Sequence, residues 1–418
     1  MSHRHLPVRP DLDQLKHQAK DLLRAFRQGD PDAVAEFAAH HHKPVDPTSA
    51  KLADAHLVLA RAYEAKSWPR LVLACRLIDA IWRDDISELR DVVTKHPALV
   101  HEDALVRPNS NWGPPMSYAA NLGRDKIIKM LRGLGATDLQ HAIGRATLQG
   151  RIATARMLYA MLDEPSVPDD ALGGPAYTLS ATGTALMLEL GARVVDDDGR
   201  LLAPVDVVIE SDSRKPDEKH QILEMYAACG APLPDTPVMA LHRGRLDLLE
   251  EHLRRDPELL TRTFSHEEIY PPAVGCRAYV DTQGTPLAGS TLLHLCVDYD
   301  ELDMARWLLD RGMPVDAKAA VNARGFGGHS ALFNAVVCYA NFWGNYRDES
   351  VDSPFARLLL ERGADPNLRV SMRKRFEDGE VQECPAVTPT GWGRVFRDRI
   401  LVSEPAMHVI AERGGTES

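Results

Sequence analysis

The feature that most constrains this chain is a degenerate repeat that recurs along its length. The clearest copy, from Gly289 to Asp316, reads GSTLLHLCVDYDELDMARWLLDRGMPVD, which is a turn, two short amphipathic helices and a second turn. Weaker copies lie at 113–138, 236–257 and 328–367. Such units bury their apolar faces against their neighbours, so the pattern predicts a helical stack rather than one compact core.

The residues of this repeat resemble the ankyrin pattern, G-x-T-P-L-H-x-A-A-x-x-G, followed by an apolar helix and G-A-D. Thr291, Leu293 and His294 stand at the T, L and H positions, with Cys296 at the first alanine and Asp300 where glycine is usual. The resemblance, to bacterial-type ankyrin-repeat proteins, implies an all-α solenoid of helix-turn-helix units. It also implies that His294 braces the turns of adjacent repeats by hydrogen bonds, whereas its spacing from Asp298 alone would also allow a catalytic pair.

Glycines punctuate the repeats at two places. The first helix ends in Ala-x-x-x-Gly, in which small residues allow close helix approach and the glycine permits a tight turn. The copies are Ala25/Gly29, Ala119/Gly123, Ala146/Gly150 and Ala240/Gly244, with Ala80/Asp84 and Cys296/Asp300 as variants. The second helix is followed by a glycine that suits a left-handed C-terminal residue. These glycines are Gly135, Gly191, Gly230, Gly312 and Gly363.

The chain divides into an N-terminal cap and a repeat array. Residues 1–79 are expected to be a helical cap with a divergent repeat inside it, because a solenoid needs an end that hides its apolar face. Amphipathic helices are predicted over Asp11–Phe26 and Lys51–Ala65, and Ser67-Trp68-Pro69 is the start of a third. Residues 80–418 form the ankyrin-like array.

Three insertions interrupt the array at 261–288, 341–353 and 372–387. The first has the β-branched, aromatic and proline content of an extended, hairpin-like loop, the second separates the two helices of a repeat, and the third contains an Asp378-Gly379 turn signal. Long insertions in a compact array are more often functional than idle. The stretch 172–237 fits either a distorted repeat or a loop.

Charge and hydropathy exclude several functions. The chain has 60 acidic and 49 basic residues and a net charge of -11, and its one dense basic run is RVSMRKR at 369–375. A nucleic-acid binder normally presents a basic face, so no nucleic-acid partner is expected. No run approaches the roughly 20 apolar residues of a membrane span. The first ten residues also lack the apolar stretch of a signal peptide, so a cytoplasmic protein is expected.

Cysteine usage and motifs argue against a metal site or a cofactor. The six cysteines include no C-x-x-C pair, and most lie in apolar helical patterns, as buried thiols in a reducing compartment do. The sequence also lacks a Walker loop, G-x-S-x-G, H-E-x-x-H and the dinucleotide fingerprint. Neither a metal nor a cofactor is therefore expected.

Candidate binding residues lie at groove positions, in turns and in the insertions. Ankyrin-like stacks leave the position after the motif histidine, and the pair before the turn, variable and facing the concave groove. Aromatic residues there can anchor a partner, although they can also pack loops onto the stack. The candidates are Trp112, Tyr118, Asn121, Tyr270, Arg277, Tyr279, Asp298, Tyr299, Asn334, Trp343 and Trp392.

Two functions remain open. The resemblance implies a protein-interaction module that binds another protein through the concave groove and its inserted loops. The alternative is an enzyme or small-molecule binder, with hydrolysis the expected chemistry, in which the insertions close the groove into a pocket. Its catalytic candidates are the carboxylates and histidine of His266, Glu267, Glu268, Asp298 and Asp300. An open groove with solvated groups favours the first function, and a closed pocket with perturbed pKa values favours the second.

Overall fold

The computed structural model describes residues 4–106, 110–277, 283–347, 352–376 and 378–417. Over these residues the chain is built from α-helices and one antiparallel pair of strands, so the expected all-α class is confirmed. It forms two compact units, Met1–Val167 (unit 1) and Pro168–Ser418 (unit 2). The division into a cap at 1–79 and an array at 80–418 stays a prediction.

Unit 1 is a stack of short helices, and the three helices expected near its start are confirmed. Asp11 caps the first helix by accepting hydrogen bonds from the N–H groups of Asp13 and Gln14, and Ser67 caps the fourth by accepting from Arg70. In the described residues of unit 1 the helices are α1 (Leu12–Arg27), α2 (Pro31–His40), α3 (Leu52–Ala62), α4 (Trp68–Trp82), α5 (Ile86–Lys95), α6 (Pro115–Asn121), α7 (Asp125–Gly133), α8 (Leu139–Leu148) and α9 (Ile152–Tyr159).

Unit 2 continues with helix pairs and ends in a strand hairpin followed by a last pair. Its described helices are α10 (Gly173–Tyr177), α11 (Ala181–Glu189), α12 (Val205–Glu210), α13 (Pro216–Ala228), α14 (Pro237–His242), α15 (Leu246–Arg255), α16 (His266–Ile269), α17 (Leu292–Asp298), α18 (Leu302–Asp310), α19 (Ala331–Val336), α20 (Ala340–Tyr346), α21 (Pro354–Glu361), α22 (Pro389–Val395) and α23 (Glu404–Glu412). The strands are β1 (Val370–Arg375) and β2 (Val381–Val387).

The turn residues expected from the sequence adopt the backbone conformation that was predicted for them. Gly123 and Gly244 follow first helices with φ of 69° and 65°, and Gly312 follows a second helix with φ of 89°. The two aspartate variants, Asp84 and Asp300, also have positive φ, at 57° and 62°. A side chain at such a position costs conformational energy, which explains why glycine is the commoner residue there.

The core of unit 2 is formed where the apolar faces of neighbouring helices meet. On α17 and α18, Leu293, Cys296, Ala305 and Leu308 are at most 1% exposed. Burying one leucine side chain contributes about 1.5–3 kcal/mol. These helices pack against each other, and α17 also packs against α19, so each repeat is stabilised by the next.

The insertion at 261–288 is not the extended hairpin that the sequence indicated, and that interpretation is wrong for its described part. Residues 266–269 form α16, and Pro272–Val274 form a 3-10 turn. Ser265 caps α16 through a reciprocal pair of hydrogen bonds with Glu268, and this local capping outweighs the β-forming composition of the segment. A single bridge, Phe264 to Ser290, is the extended pairing seen here.

The other two insertions lie where the sequence placed them. The segment 341–353 separates α19 from α21, and its described start belongs to α20. The segment 372–387 falls within the β1–β2 hairpin, in which Met372 pairs with Cys384 and Arg375 with Val381. Gly379, in the turn between the strands, has φ of 86°. Glu377, at the start of this turn signal, lies outside the described residues.

The ambiguous stretch 172–237 is a pair of distorted repeats rather than a loop. It contains α10 and α11, then α12 and α13. An isolated bridge between Val195 and Leu201 closes the turn that separates the two pairs. The short first helices and this turn explain why the segment matched the repeat pattern in spacing alone.

Candidate functional site

A cleft of about 370 Å³ lies in unit 2, beside the end of α12 and the short helix α16. Three of its residues, His266, Tyr270 and Arg277, come from the insertion at 261–288 and were candidates from the sequence. The full lining is Tyr177, Val207, Glu210, Ser211, Asp212, Arg214, His266, Tyr270, Arg277 and Tyr339.

A buried ion pair between Arg214 and Asp298 fixes one side of the cleft. Arg214 Nη2 lies 2.7 Å from Asp298 Oδ2, and Arg214 Nε donates to the Asp298 carbonyl at 2.7 Å. Nη1 donates to the carbonyl of Ser211. The two charged side chains are 5% and 1% exposed. Arg214 has φ of 44°, an uncommon conformation for a residue with a side chain, and these bonds compensate for it.

Tyrosine rings enclose the Arg214 guanidinium. Its Cζ lies 4.3 Å from the ring centre of Tyr299 and 5.2 Å from that of Tyr339. Burial lowers the pKa of Arg214, but the charge and hydrogen bond of Asp298, together with Tyr299 and Tyr270, outweigh this effect and raise the pKa above its usual value. Burial raises the pKa of Tyr270 to about 12, so its hydroxyl stays protonated at neutral pH. At neutral pH Arg214 is therefore charged and Tyr270 is neutral, and the tyrosine rings lie against the charged guanidinium.

A second buried charge cluster also contacts the Tyr299 ring. Lys219 Nζ is 2.9 Å and His220 Nε2 is 2.8 Å from Glu301 Oε1, and Lys219 Nζ is 4.6 Å from the centre of the Tyr299 ring. Burial raises the pKa of Glu301, but the combined effect of Lys219 and His220 is larger, so the pKa of Glu301 is below its usual value. Glu301 is also the residue that precedes α18. This cluster joins α13 to the start of α18 next to the Tyr299 ring.

The rim of the cleft carries an excess of negative charge. Asp298 balances Arg214, which leaves the carboxylates of Glu210 and Asp212 and the guanidinium of Arg277. Glu210 accepts a hydrogen bond from the Arg277 main-chain N–H at 2.7 Å, and its other oxygen lies 3.8 Å from Arg277 Nε. Asp212 is exposed, and no described residue pairs with its carboxylate. The position beside Asp212 therefore favours a cation.

Exposed aromatic residues lie next to this rim. Tyr177, from α10, is 67% exposed although it lines the cleft. Helix α20 begins directly after Tyr339 and carries Phe342, Trp343 and Tyr346, whose rings pack on one another. None of the described side chains of α20 is fully buried, and Tyr346 is 67% exposed.

Helix α20 is attached to the protein by asparagine side chains. Asn345 Nδ2 donates to the carbonyls of Val402 at 2.7 Å and Ile400 at 2.9 Å, and Asn341 Nδ2 donates to that of Leu401 at 3.1 Å. These bonds hold the helix without burying its aromatic face. Phe342 and Trp343 are partly exposed, and Tyr346 is largely exposed.

His294 has the bracing role that the repeat pattern implied. Its Nε2 lies 3.0 Å from the carbonyl oxygen of His329, and its Nδ1 lies 2.8 Å from the hydroxyl of Thr291. His329 Nε2 in turn lies 3.2 Å from the Pro286 carbonyl. Burial lowers the pKa of His294 to about 4, so the ring is neutral at physiological pH and links successive turns.

Residues 288–323 match the family model described as Ankyrin repeat. The chain contains an ankyrin repeat. It comprises α17 and α18 with their flanking turns and includes His294. The match and the stacked helix pairs confirm the all-α ankyrin-repeat fold that was predicted from the sequence.

Similar solved structures are ankyrin repeat domains. The human ASB11 ankyrin repeat domain is 16% identical, and the alignment covers 73% of this chain and 99% of that chain with a TM-score of 0.27. The ankyrin repeat domain of Bcl-3, described as a unique member of the IkappaB protein family, is 14% identical, with 80% and 97% covered and a TM-score of 0.20. No curated protein matches the sequence.

In unit 1, the structure brings together the three candidates Trp112, Tyr118 and Asn121. The Trp112 and Tyr118 rings lie 4.8 Å apart, and Asn121 Oδ1 accepts a hydrogen bond from Arg145 Nη2 at 2.7 Å. Arg145 Cζ lies 4.8 Å from the centre of the Trp112 ring. Trp82 Nε1 donates to the Tyr118 hydroxyl at 2.7 Å. Arg145 and Trp82 were not predicted from the sequence.

Several other candidates are buried away from solvent. Trp392 is 0% exposed, and its Nε1 donates to the Thr285 hydroxyl at 2.9 Å. Asn334 is 0% exposed, and Tyr299 is 1% exposed. Trp343 differs from these residues, since it lies on α20 and is partly exposed. Tyr279 lies outside the described residues. A binding role for each of these residues stays a prediction.

The five catalytic candidates do not converge on one place. His266 lines the cleft, whereas Glu267 is exposed and Glu268 accepts from the Ser265 N–H at 2.8 Å and pairs with Arg262. Asp298 is the buried partner of Arg214, and Asp300 lies in the left-handed turn after α17. Their catalytic roles stay predictions.

The remaining cleft residues could hardly be predicted from the sequence. Glu210, Asp212 and Arg214 lie in ESDSRKPDEKH, which has no repeat pattern from which to infer the direction of a side chain. One signal was available in retrospect. Arg214 lies in a polar turn, five residues before Lys219, and Lys219 belongs to an apolar helix pattern. This spacing indicates basic groups near a buried helix face.

Proposed function

We propose that this protein is a protein-interaction module, and that the cleft of unit 2 binds a basic side chain of a partner polypeptide. The observation that carries this proposal is that no described residue pairs with the Asp212 carboxylate, which lines the cleft together with three tyrosines. Lysine and arginine side chains are recognised by carboxylates combined with aromatic faces. Tyr177, Tyr270 and Tyr339 supply such faces in the same cleft.

The aromatic face of α20 extends the proposed surface beyond the cleft. Interfaces are enriched in tyrosine and tryptophan because these residues supply a large contact area at low entropic cost. Trp343 and Tyr346 fit this role, and the bonds of Asn345 hold their helix in place before a partner binds. The net charge of -11 also favours association with a basic partner.

The alternative, a hydrolase, finds less support in the geometry. Two carboxylates acting as acid and base need access to the same substrate. Glu268 is engaged by Arg262 and by the Ser265 N–H, and Asp298 is engaged by Arg214. The interaction module is therefore the function that the described residues support best.

Within the described part of the chain, no helix is both long and apolar enough to span a membrane. A cytoplasmic location and a bacterial-type origin stay predictions.

The experiment is a selection of displayed random peptides on the full-length protein, followed by titration of the enriched peptides. Asp212→Asn and Tyr177→Ala should each weaken binding by roughly fivefold or more, since both contacts to a basic side chain are at the surface. Asp197→Asn is the matched control, because the Asp197 side chain is fully exposed and does not line the cleft. Enriched peptides without a basic residue, or equal affinities for all variants, would refute the proposal.

A further inference from the structure

Arg145 lies in unit 1 as a buried cation, and no carboxylate among the described residues forms an ion pair with it. The residue is 7% exposed. Among the described residues its guanidinium has one hydrogen-bond acceptor, Asn121 Oδ1, which lies 2.7 Å from Nη2. Arg145 Nε is buried and has no acceptor. The amide oxygen of Asn121 carries no charge, so the positive charge of Arg145 is not balanced.

This arrangement differs from that of Arg214, whose buried side chain pairs with Asp298. Burial lowers the pKa of Arg145 and no neighbouring charge opposes the effect, whereas Asp298 raises the pKa of Arg214. A buried charge without a counter-charge destabilises a protein, and proteins seldom keep one without a function. The free energy that Arg145 costs would be recovered on binding an anion.

The surroundings of Arg145 are built to hold a flat group. The Trp112 ring lies 4.8 Å from Arg145 Cζ, and the Tyr118 ring supports Trp112 from 4.8 Å away. Gly113 fixes the turn that positions Trp112, because its φ is 68° and a Cβ there would lie 2.5 Å from His141 Cε1. The tryptophan ring is therefore held in place before any ligand binds.

The neighbouring titratable groups do not neutralise Arg145. Burial, and then the charge of Arg145, lower the pKa of His141, so the imidazole is neutral at pH 7. Asp138 accepts hydrogen bonds from the main-chain N–H of Ser117, at 3.0 Å, and from the Ser117 hydroxyl. Its carboxylate is thus engaged at the start of α8.

We propose that Arg145 binds one carboxylate group of a ligand, between the Trp112 ring and the Asn121 amide. A guanidinium presents paired N–H donors that match the two oxygens of a carboxylate. One arginine balances one negative charge, which suits a carboxylate better than a phosphomonoester with a charge of about -1.5 to -2. The site lies within unit 1 and does not depend on the cleft proposed in unit 2.

The test compares thermal unfolding of the full-length protein in sodium acetate and in sodium chloride, at pH 7 and equal ionic strength. Acetate should raise the Tm of the wild type by roughly 2 °C relative to chloride through binding to the folded state. Arg145→Met should abolish this rise, and Arg90→Met, at an exposed arginine of the same unit, should retain it. An absent rise in the wild type, or an equal rise in Arg145→Met, would overturn the proposal.

Asn121→Asp provides a second variant that does not remove the arginine. It places a carboxylate at the atom that already lies 2.7 Å from Arg145 Nη2. The variant should have a higher Tm than the wild type in chloride and should no longer respond to acetate. If Asn121→Asp instead lowers the Tm and the acetate response persists, Arg145 does not bind a carboxylate.

The source of the carboxylate is separated by two further probes. Acetyl-Gly-Gly-Glu-Gly-Gly-amide presents a side-chain carboxylate on a polypeptide, and glutarate presents the same group on a small organic acid. Tighter binding of the peptide, lost in Arg145→Met, identifies a polypeptide ligand, and tighter binding of glutarate identifies a small acid. Failure of both to bind the wild type would contradict the proposal.

Discussion

Arg214 donates hydrogen bonds to both the side chain and the main chain of Asp298, with Nη2 and Nε each 2.7 Å from their acceptors. Because the two residues lie 84 positions apart, this pair joins the turn after α12 to the end of α17. The guanidinium also lies against the rings of Tyr299 and Tyr339, and Tyr339 lines the cleft. The candidate site therefore depends on a contact between distant repeats.

Loss of one member of this pair should be costly. Arg214→Met leaves the buried Asp298 carboxylate unpaired, which is expected to lower the free energy of unfolding by about 3–5 kcal/mol. Replacing both residues, in Arg214→Met/Asp298→Leu, should cost less than Arg214→Met alone because no charge remains. Urea unfolding of the wild type and the two variants measures this difference, and a double variant less stable than Arg214→Met would contradict it.

The turn glycines should differ in their sensitivity to alanine. At Gly312 an added Cβ meets nothing within 4 Å, so Gly312→Ala should cost about 1 kcal/mol from the positive φ alone. At Gly244 the Cβ would lie 2.2 Å from His220 Nδ1, so Gly244→Ala should cost about 1–3 kcal/mol more. The free energies of unfolding of the two variants test this, and equal values would show that His220 moves aside without loss.

Asp300 should make stability depend on pH between about 4 and 6. Burial, and then the charge of Glu301, raise the pKa of Asp300 from 3.8 to about 6, although much of its surface is exposed. Because the folded-state pKa is raised, the unfolded state loses its proton first, and this residue destabilises the fold as pH rises from 4 to 6.

Asp300→Asn should therefore be more stable than the wild type at pH 7, by less than about 1 kcal/mol because solvent screens the charge. Asparagine also tolerates the left-handed conformation at φ of 62°. The gain should disappear below pH 4, where the aspartate is protonated in both states. Unfolding of both proteins at pH 7 and pH 3.5 measures it, and a gain of equal size at both pH values would exclude a titration effect.

His294 should act in the opposite direction. Burial lowers its pKa to about 4 from 6.5, so the unfolded state takes up a proton first as the pH falls. The stability that the neutral ring provides is complete above pH 6.5 and is lost progressively towards pH 4, by roughly 2–3 kcal/mol. His294→Gln should flatten this part of the stability profile. His408→Gln, at an exposed histidine of α23, serves as the control for the same substitution outside the core.

The sequence was sufficient to predict the repeat architecture because each repeat has local conformational requirements. Positions such as Gly123 and Gly244 need a left-handed backbone, and His294 needs a polar partner in the neighbouring turn. These requirements leave similar residue types at equivalent positions in several copies, such as Gly123 and Gly244. A single sequence therefore reveals them without structural information.

The cleft could not be predicted in the same way because its residues come from segments without a repeat pattern. Arg214 lies in the turn between α12 and α13 of a distorted repeat, and Tyr339 precedes a helix that interrupts another repeat. Trp392 shows the opposite difficulty, since it occupies a groove position of the motif but packs fully inside the protein. Exposure of an aromatic residue depends on how neighbouring elements pack, which local pattern does not encode.

A charge exchange between the cleft and a bound peptide tests whether the cleft recognises a basic side chain. An enriched arginine-containing peptide would be titrated against the full-length wild type and Asp212→Arg, together with a second peptide in which the arginine is replaced by glutamate. We expect Asp212→Arg to bind the first peptide roughly tenfold or more weakly than the wild type does and to bind the second peptide more tightly, because the contacting charges are reversed together. Equal binding of both peptides to both proteins would show that the cleft does not recognise a basic side chain.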